Sequence, residues 1–584
     1  HHIAPLVLVD DCTPNIAGCK WTVAPFIDLT VATTLADVTT FLYTGPNPIQ
    51  TGVVSDTINP VQVAVIRGRV LDKANNALSG ARITILDHPE FGQTLSREDG
   101  RFDLAVNGGG QLTVSYVKEG YLLGQRQVNA PWQDYVMMED TILIQQDTKS
   151  TSINLTDTTQ ALHVAQGSPV TDQDGTRQAT LLIPQGTQAQ VYNPDNTMST
   201  VTSLNLRLTE YTAGANGQSS MPAPLPPSSA FTYAFEMRAE EAAIKRDGKD
   251  VVFDRPVPFY IDNFLNFPVG TAVPVGYYDQ DKGVWVPSDN GKVIKILAVT
   301  NGTVDLDTDG DGVADDETKL TLLGINADEK ARLAGLYPAG KSLWRVQVKH
   351  LSTWDCNWPY KMPDDAEAPK NPEPTVDETE DDPECKGGSI IECQNQILRE
   401  SLPITGTGMT LNYASNRVEG RKARNTMVIQ LTGDKVPGSL TRVDLEVDIA
   451  GRHFEKSFPD QPNQRHPFVW DGLDAFGRKV NGGTVAKIRI GYVYHPVYAT
   501  PAQMQAAFAL FSGVPLEGSR ARNEIRIWQE FTTQLGRLSV QTQSIGGWAL
   551  SHHHNYDPID KSLYLGSPSQ FGLIGNLQYV EQQR

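Results

Sequence analysis

The sequence predicts an all-β chain, organised as a multi-domain array of β-sandwiches with short helices. Short apolar runs alternate with polar residues at a period of two, which is typical of half-buried strands. The 49 glycines and 37 prolines among 584 residues provide the turns that separate these runs. A chain of this length exceeds the usual size of one domain, so we expect several.

The composition argues against two classes of protein. Acidic residues number 68 and basic residues 49, so the net charge is -19. Such a surface repels phosphate backbones, and we expect no nucleic-acid partner. No apolar stretch reaches the length that crosses a bilayer, so we also expect no membrane span. The chain begins at His1 without a recognisable signal peptide, which predicts a processed product or a piece of a longer protein.

The first module predicted to fold covers residues 61–148 and follows an extended N-terminal segment, 1–60. Its first strand runs from Val63 to Val70, a turn follows at 75–80, and a second strand runs from Ala81 to Ile85. The pair Asp99-Gly100 predicts a hairpin turn.

This module resembles the carboxypeptidase-regulatory-like sandwich, which is related to transthyretin. The motifs that carry the resemblance are Gly68-Arg69-Val70, Gly80-Ala81, Asp99-Gly100-Arg101-Phe102 and Gly120-Tyr121. They are turn glycines and core positions, so the resemblance implies a structural module without chemistry of its own.

Residues 149–360 predict a larger β-rich domain. The run from Leu181 to Thr187 is typical of a strand that ends in a turn, and it is similar to ZU5-like domains. Aromatic residues are dense in this domain, and we interpret them as sheet packing in preference to a sugar-binding platform. Asn326 is placed to cap a short helix that begins at Ala327.

An acidic loop inserted in this domain predicts a bound calcium ion. Residues 307–315 read Asp-Thr-Asp-Gly-Asp-Gly-Val-Ala-Asp, with carboxylates at loop positions 1, 3, 5 and 9 and a glycine at position 6. The predicted metal-site residues are Asp307, Asp309, Asp311, Val313 and Asp315. Position 12 is Thr318 instead of Glu, and a solvated acidic turn is the alternative.

A linker and a second sandwich follow. Residues 361–384 are acidic and proline-rich with few apolar residues to bury, which predicts an extended linker. Residues 385–495 predict an immunoglobulin-like or fibronectin-like sandwich. Within it, apolar residues at 443, 445, 447 and 449 alternate with charged residues, which indicates a strand with one buried face and one wet face. Residues 496–584 predict a helix that starts at Thr500 and Pro501, and then further strands.

The segment from Gly547 to Pro558 reads Gly-Trp-Ala-Leu-Ser-His-His-His-Asn-Tyr-Asp-Pro. It resembles the approach to the propeller and shell of RHS/YD-repeat proteins, the bacterial relatives of teneurins. The order of modules agrees, with a transthyretin-like sandwich, a fibronectin-like plug and then this approach. The long run of tyrosine-aspartate repeats and the variable C-terminal toxin of that family do not occur in residues 1–584.

The resemblance implies a non-enzymatic N-terminal stalk and plug, which seals a hollow shell around a C-terminal toxin or cargo. The implied partners are the YD-repeat shell of the same polypeptide and that cargo, and the implied location is the bacterial surface or the extracellular space. The residues expected to form the apolar surface of the plug are Trp470, Phe476, Phe508, Phe511 and Trp528.

Five cysteines are few and odd in number. Cys12 and Cys19 close one short loop, and Cys385 and Cys393 close another, so both pairs are disulfide candidates that would fit an oxidising compartment. Cys356 remains, and we interpret it as a buried thiol in preference to a reactive nucleophile.

No motif predicts catalysis. His350, Ser352, Asp355 and Cys356 contain the residue types of a nucleophilic triad, but a triad needs residues that the fold brings together from separate segments. His552, His553 and His554 suggest metal binding, yet no carboxylate or cysteine lies at ligand spacing, which favours an ordinary polar strand. The alternative function, a secreted hydrolase or carbohydrate-binding adhesin, requires a cleft with convergent polar groups.

Overall fold

The computed structural model describes residues 8–9, 22–29, 31–214, 216–217, 219–226, 229–376, 398–414, 425–495, 497–498, 524–536, 547–552, 555–557 and 562–564. Strands dominate these residues, and the helices among them are short, which confirms the all-β prediction. No helix in the described part of the chain is long and apolar enough to cross a membrane.

The first sandwich comprises residues 61–148. Its strands are β3 (Val63–Leu71), β4 (Arg82–Ile85), β5 (Thr94–Leu95), β6 (Arg101–Asn107), β7 (Gly110–Val117), β8 (Gly124–Ala130), β9 (Asp134–Met137) and β10 (Thr141–Ile142). One sheet has the order β10-β3-β6, with β9 parallel to β3, and the other has the order β5-β4-β7-β8. The two predicted strands are confirmed as β3 and β4, and Gly100 takes the left-handed conformation (φ 78°) that its turn requires.

The N-terminal segment contains more than the extended structure that the sequence predicts. It has strands β1 (Leu8–Val9) and β2 (Thr22–Val23), and a short helix α1 (Leu35–Thr39) that continues as a 3-10 turn (Thr40–Leu42). Thr34 caps α1 by accepting a hydrogen bond from the Asp37 N–H. Leu35 and Leu42 pack into the core of the first sandwich, and this tertiary burial stabilises a helix too short to form alone.

The middle domain comprises residues 149–360. Its strands are β11 (Thr151–Asn154), β12 (Leu162–Gln166), β13 (Val170–Asp172), β14 (Gly175–Arg177), β15 (Ala179–Pro184), β16 (Ala189–Tyr192), β17 (Met198–Val201), β18 (Ser203–Glu210), β19 (Tyr233–Ala239), β20 (Val251–Asp262), β21 (Ala272–Val273), β22 (Val275–Asp279), β23 (Val284–Pro287), β24 (Gly291–Thr300), β25 (Thr303–Asp307), β26 (Ser342–His350) and β27 (Thr353–Cys356). Six of them form a sheet of order β11-β18-β19-β27-β22-β23, which packs against a nine-stranded sheet that contains β20, β26 and β24.

Aromatic residues fill the space between these two sheets. Trp344, Trp354 and Trp358 are fully buried, and Phe267 stacks on Trp358 with ring centroids 4.0 Å apart. Tyr260 lies on the opposite face of β20, where its hydroxyl donates to Glu329. Much of the aromatic density noted in the sequence therefore serves packing.

Two helices follow the acidic loop of the middle domain, α2 (Glu317–Leu322) and α3 (Ala327–Leu336). The Asn326 side chain accepts a hydrogen bond from the Glu329 N–H at 2.8 Å, which confirms the predicted N-cap. Glu329 is buried and pairs with Arg345 of β26, with 2.7 Å between Oε1 and Nε. This pair ties α3 to the sheet.

The C-terminal part contains fourteen strands among the described residues. They are β28 (Tyr360–Lys361), β29 (Thr375–Val376), β30 (Arg399–Pro403), β31 (Thr410–Ala414), β32 (Thr426–Gln430), β33 (Leu440–Ile449), β34 (Arg452–Phe458), β35 (Arg465–Val469), β36 (Thr484–Tyr494), β37 (Val497–Tyr498), β38 (Ile525–Leu535), β39 (Trp548–Leu550), β40 (Asn555–Asp557) and β41 (Ser562–Tyr564). The second sandwich packs a sheet β34-β33-β36-β38 against a sheet β29-β32-β35.

The alternation predicted for residues 443–449 is confirmed in β33. Val443, Leu445, Val447 and Ile449 are buried in the core of the second sandwich. The opposite face carries a ladder of ion pairs, in which Asp444 accepts from Arg442 and Arg526, and Glu446 lies 3.2 Å from Arg489.

The predicted linker, 361–384, packs where it is described. In residues 361–376, β28 pairs with β37 and β29 pairs with β32, so the segment adds strands to sheet edges. Asn371 donates to the Leu431 carbonyl at 3.0 Å and accepts from the Gln529 side chain at 3.0 Å. A segment with few apolar residues is held here by main-chain pairing, which its composition does not reveal. The predicted helix at 500–511 lies outside the described residues.

Candidate functional site

The acidic loop connects β25 to α2. Asp307 ends β25 and is buried, Asp309 is exposed, and Asp315 is partly buried. Each offers one carboxylate oxygen to a cluster in which all three oxygens lie within 4.8 Å of one another. Gly310 and Gly312 take left-handed conformations (φ 86° and 79°), which allow the loop to turn sharply around this cluster.

Main-chain hydrogen bonds hold the cluster in place. Asp307 accepts from the N–H groups of Gly310 (2.7 Å) and Gly312 (3.0 Å). Asp315 accepts from both the N–H and the hydroxyl of Thr308, each at 2.6 Å. The turns of the loop are therefore held by its own carboxylates.

Lys319 of α2 reaches back to the cluster. Its ammonium lies 2.5 Å from Asp309 Oδ2 and 2.9 Å from Asp315 Oδ1. Hydrogen bonds to these two carboxylates raise the pKa of Lys319, and the contact with Lys319 lowers the pKa of Asp309. The ammonium partly compensates the clustered charge, so a metal ion would compete with it for both side chains. Sequence reasoning missed Lys319, which lies in the first turn of α2 directly after the loop.

The other predicted metal-site residues lie away from the cluster. Asp311 is exposed, and its Oδ1 accepts from the Val313 N–H at 2.8 Å. Val313 is exposed as well. Glu317, the one acid near loop position 12, pairs with Lys330 at 3.0 Å. The fold thus gathers Asp307, Asp309 and Asp315 and leaves the remaining positions in a turn.

A second feature is the contact of the second sandwich with the first sandwich and with the N-terminal segment packed on it, which we call the seam. Phe476 lies in a turn of the second sandwich, yet its ring is buried among the core residues of the first sandwich. Phe41 meets it edge to face at 5.1 Å, and the guanidinium groups of Arg67 and Arg478 each lie 5.0 Å from its centroid. These are cation–π distances.

Hydrogen bonds surround this aromatic anchor. Arg67 donates to the Gly451 carbonyl at 2.8 Å, and Arg478 donates to the Val38 carbonyl at 2.8 Å. The Thr33 N–H donates to the Asn481 carbonyl at 2.8 Å, and the Asn481 N–H donates to the Thr33 hydroxyl at 3.0 Å. A buried aromatic ring enclosed by directed polar contacts is typical of a specific docking surface.

The remaining contacts fix the orientation of the seam. Lys487 forms an ion pair with Asp134 at 2.8 Å. Gly451 takes a left-handed conformation (φ 74°), and a Cβ there would lie 2.8 Å from the Tyr135 ring. Two surfaces that fit this closely hold one relative orientation.

The expected apolar plug surface needs correction. Trp470 is 2% exposed and belongs to the core of the second sandwich, and Phe476, also 2% exposed, is buried in the seam. Trp528 is half-buried on the outer face of β38, with the Arg489 guanidinium 4.4 Å from its ring. Phe508 and Phe511 lie outside the described residues. A large aromatic ring is buried wherever another part of the fold offers it a concave surface. The exposure of these rings could therefore not be predicted from their spacing in the sequence.

The residue types of a triad do not form one. His350 Nδ1 lies 2.8 Å from Ser352 Oγ, but the Ser352 hydroxyl is buried and donates to the Gly248 carbonyl. Burial next to Lys249 lowers the pKa of His350 to about 4. Asp355 is buried and accepts from the Asn357 amide. The segment is a packed strand end, as the sequence indicated.

The cysteine and histidine predictions are partly outside the described residues. Cys356 is buried, and burial raises the pKa of its thiol, which agrees with an inert core residue. Cys12, Cys19, Cys385 and Cys393 lie outside the described part. His552 is exposed, and His553 and His554 lie outside that part.

Two family models match the chain in the two sandwiches. Residues 58–143 match the "Teneurin TTR-like domain", and residues 426–499 match "Teneurin 1-4, FN-plug domain". The two sandwiches are teneurin-like. They are also the modules that the seam joins, so the contact links two modules of one family type.

Curated relatives agree. The chain is 30% identical to mouse Teneurin-3 over 195 residues and 30% identical to Drosophila melanogaster Teneurin-m over 189 residues. It is 29% identical to human Teneurin-4 over 199 residues. These matches cover 33%, 32% and 34% of this chain, and the chain spans about 6% of the length of each relative.

Solved structures are only distantly similar. A streptococcal ancillary pilin matches 25% of this chain and 60% of its own, with 12% identity and a TM-score of 0.14. The Bacillus anthracis TIE protein matches 82% of this chain and 49% of its own, with 8% identity and a TM-score of 0.13. Scores this low do not indicate a shared fold.

Proposed function

We propose that this chain is the non-enzymatic stalk and plug of a teneurin-like, RHS/YD-repeat shell protein. The single observation that carries the proposal is the match of the second sandwich to the teneurin FN-plug domain. In this role the second sandwich closes a shell built by a further part of the same polypeptide. A toxin or other cargo inside the shell and a location outside the cell or on its surface belong to the same proposal.

The seam supports a mechanical role for the first sandwich. It holds the second sandwich through Phe476, Arg67 and Arg478, so the orientation of the plug is set by a module far upstream. A plug that rotated freely would not keep a shell closed, and the ion pair between Lys487 and Asp134 opposes such rotation.

The surface proposed to contact the shell is not the apolar one expected from the sequence. The outer face of the four-stranded sheet carries Arg442, Asp444, Glu446 and Arg489 in a continuous ladder of ion pairs, with Trp528 at its edge. The proposed contact with the shell is therefore charged, with one aromatic anchor, and its affinity depends on ionic strength.

Calcium binding by the acidic loop is a further part of the proposal. Asp307, Asp309 and Asp315 supply hard oxygen ligands, which suit calcium. Calorimetric titration of the full chain with calcium should give saturable binding that Asp309→Ala weakens. Asp311→Ala is the matched control, because Asp311 lies outside the cluster, and Lys319→Gln should tighten binding by removing the competing ammonium. No heat in the wild type would exclude the ion.

The alternative, a hydrolase or carbohydrate-binding adhesin with accessory β domains, remains a second candidate. A hydrolase predicts turnover of a small compound, abolished by altering one ionisable side chain.

The decisive experiment concerns the rest of the polypeptide. The gene should be sequenced beyond the codon for Arg584, and the extended protein should be imaged by electron cryomicroscopy. The proposal predicts tyrosine-aspartate repeats that form a shell, with residues 425–535 at one end of it. A reading frame without such repeats, or a second sandwich far from the shell opening, would contradict it.

A further inference from the structure

A cleft of about 470 Å³ lies at the junction between the first sandwich and the middle domain. Tyr121, Leu122 and Leu123 of the first sandwich form one wall, and the segment from Glu236 to Asp250 forms much of the other. This volume falls within the range of small-molecule sites, and such sites often lie between domains.

Apolar packing and hydrogen bonds hold the junction around the cleft. Leu122 and Ile144 of the first sandwich share an apolar cluster with Tyr211 and Phe231 of the middle domain. Arg126 donates to the main-chain carbonyls of Ser219 (2.6 Å) and Met221 (2.9 Å). The two walls are therefore held in one arrangement, and the cleft is preformed.

Positive charge in the cleft exceeds negative charge. Glu236 is buried and accepts hydrogen bonds from the Lys245 ammonium and the Thr353 hydroxyl, so this acid and this base cancel. Burial raises the pKa of Asp250 to about 7, and its Oδ2 accepts from the Ala239 N–H at 2.8 Å. Below pH 7 this carboxyl is mostly neutral.

Arg238 is a further charged residue of the cleft, and it takes no part in these contacts. Its side chain is half-buried and lines the cleft. Within the described residues its guanidinium has no hydrogen bond or ion pair, and its charge acts at longer range on Asp250 and Tyr211. Arg246 also lines the cleft but is exposed, donates to the Asn196 side chain and lies near the Asp281 carboxylate. A half-buried guanidinium without a hydrogen-bonded carboxylate, in a chain of net charge -19, is a feature that a bound anion would explain.

We propose that this cleft binds an acidic sugar of monosaccharide size, whose carboxylate pairs with Arg238. The planar guanidinium matches a carboxylate with two parallel hydrogen bonds. Tyr121 and Leu123 offer apolar surface to a sugar ring, and Lys245 and Gln280 line the cleft as donors for its hydroxyl groups. The site lies away from the seam and the acidic loop, so it stands independently of the plug function.

The test is a calorimetric titration of the full chain with glucuronate at pH 6. We expect saturable binding at one site, no binding of glucose, and an affinity that falls by about tenfold or more in Arg238→Gln. The matched control is Arg255→Gln. Arg255 is exposed, pairs with Asp254 outside the cleft, and its loss changes the net charge equally, so this variant should bind normally.

A second variant tests the opposite wall. Leu123→Trp should fill the cleft from the first sandwich and abolish glucuronate binding, even if Arg238→Gln fails to fold. Absence of glucuronate binding to the wild type would overturn the proposal, and so would unchanged affinity in Arg238→Gln. Inorganic sulfate that binds as tightly as glucuronate would also overturn it, because the cleft would then recognise charge alone.

Discussion

Replacing Phe476 by alanine should uncouple the two sandwiches while each stays folded. Phe476 belongs covalently to the second sandwich, but its ring is buried in the core of the first. Truncation of a buried phenylalanine costs about 3–5 kcal/mol. Here the cost falls on the docked state, because neither sandwich needs the ring to complete its sheets.

The size of the effect follows from these contacts. The loss of buried surface, together with two cation–π contacts of about 0.5–1 kcal/mol each, weakens docking by about 3–4 kcal/mol after local relaxation. Since 1.4 kcal/mol corresponds to about a factor of ten, the undocked population should rise by roughly 150-fold to 1000-fold.

Hydrogen exchange read by mass spectrometry measures this directly. The amides of Thr33 and Asn481 bond across the seam, so they should exchange faster by that factor in Phe476→Ala. The strands β32 and β33 should stay protected. Phe468→Ala is the matched control: Phe468 is buried in the second sandwich itself, so its loss should expose β32 and β33. Unchanged exchange at Thr33 in Phe476→Ala would refute the docking argument.

Three further predictions concern the middle domain and the seam. Burial raises the pKa of Asp250 from 3.8 to about 7, so the folded chain retains a proton that the unfolded chain releases, and the free energy of unfolding should fall by about 3 kcal/mol between pH 4 and pH 7. Asp250→Asn should flatten this slope in urea melts, and an unchanged slope would contradict the assignment. Arg345→Met should destabilise the middle domain by about 3–5 kcal/mol in the same assay, because it leaves Glu329 as a buried carboxylate without its ion-pair partner. The double variant Arg345→Met with Glu329→Gln should recover part of the lost stability. Gly451→Ala should speed amide hydrogen exchange at Thr33, because the added Cβ would lie 2.8 Å from the Tyr135 ring. An exchange rate equal to that of the wild type would contradict this prediction.

Secondary structure was predictable wherever it depends on a pattern within a few neighbouring residues. Alternation at residues 443–449 specifies which face of β33 is buried, and Asn326 specifies where α3 begins, because both depend on neighbours within a few residues. The acidic loop was predictable in part. Asp307, Asp309 and Asp315 lie together through turns that the intervening glycines permit, whereas Asp311 and Val313 lie away from them. The packing of residues 361–376 was not predictable from the sequence, because it depends on pairing with strands that are distant in the chain.

By itself, then, the sequence determined the all-β class, the order of the two teneurin-like sandwiches and the position of the acidic loop. Only the tertiary structure decided that Phe476 packs against the first sandwich, that Lys319 faces the acidic loop, and that the Arg238 guanidinium has no hydrogen-bonded carboxylate. The physical reason is range: strand periodicity and turn chemistry act within a few residues, whereas the contact between Arg67 and Gly451 joins groups 384 residues apart. Such a contact exists only when two finished surfaces fit, and no single segment encodes that fit.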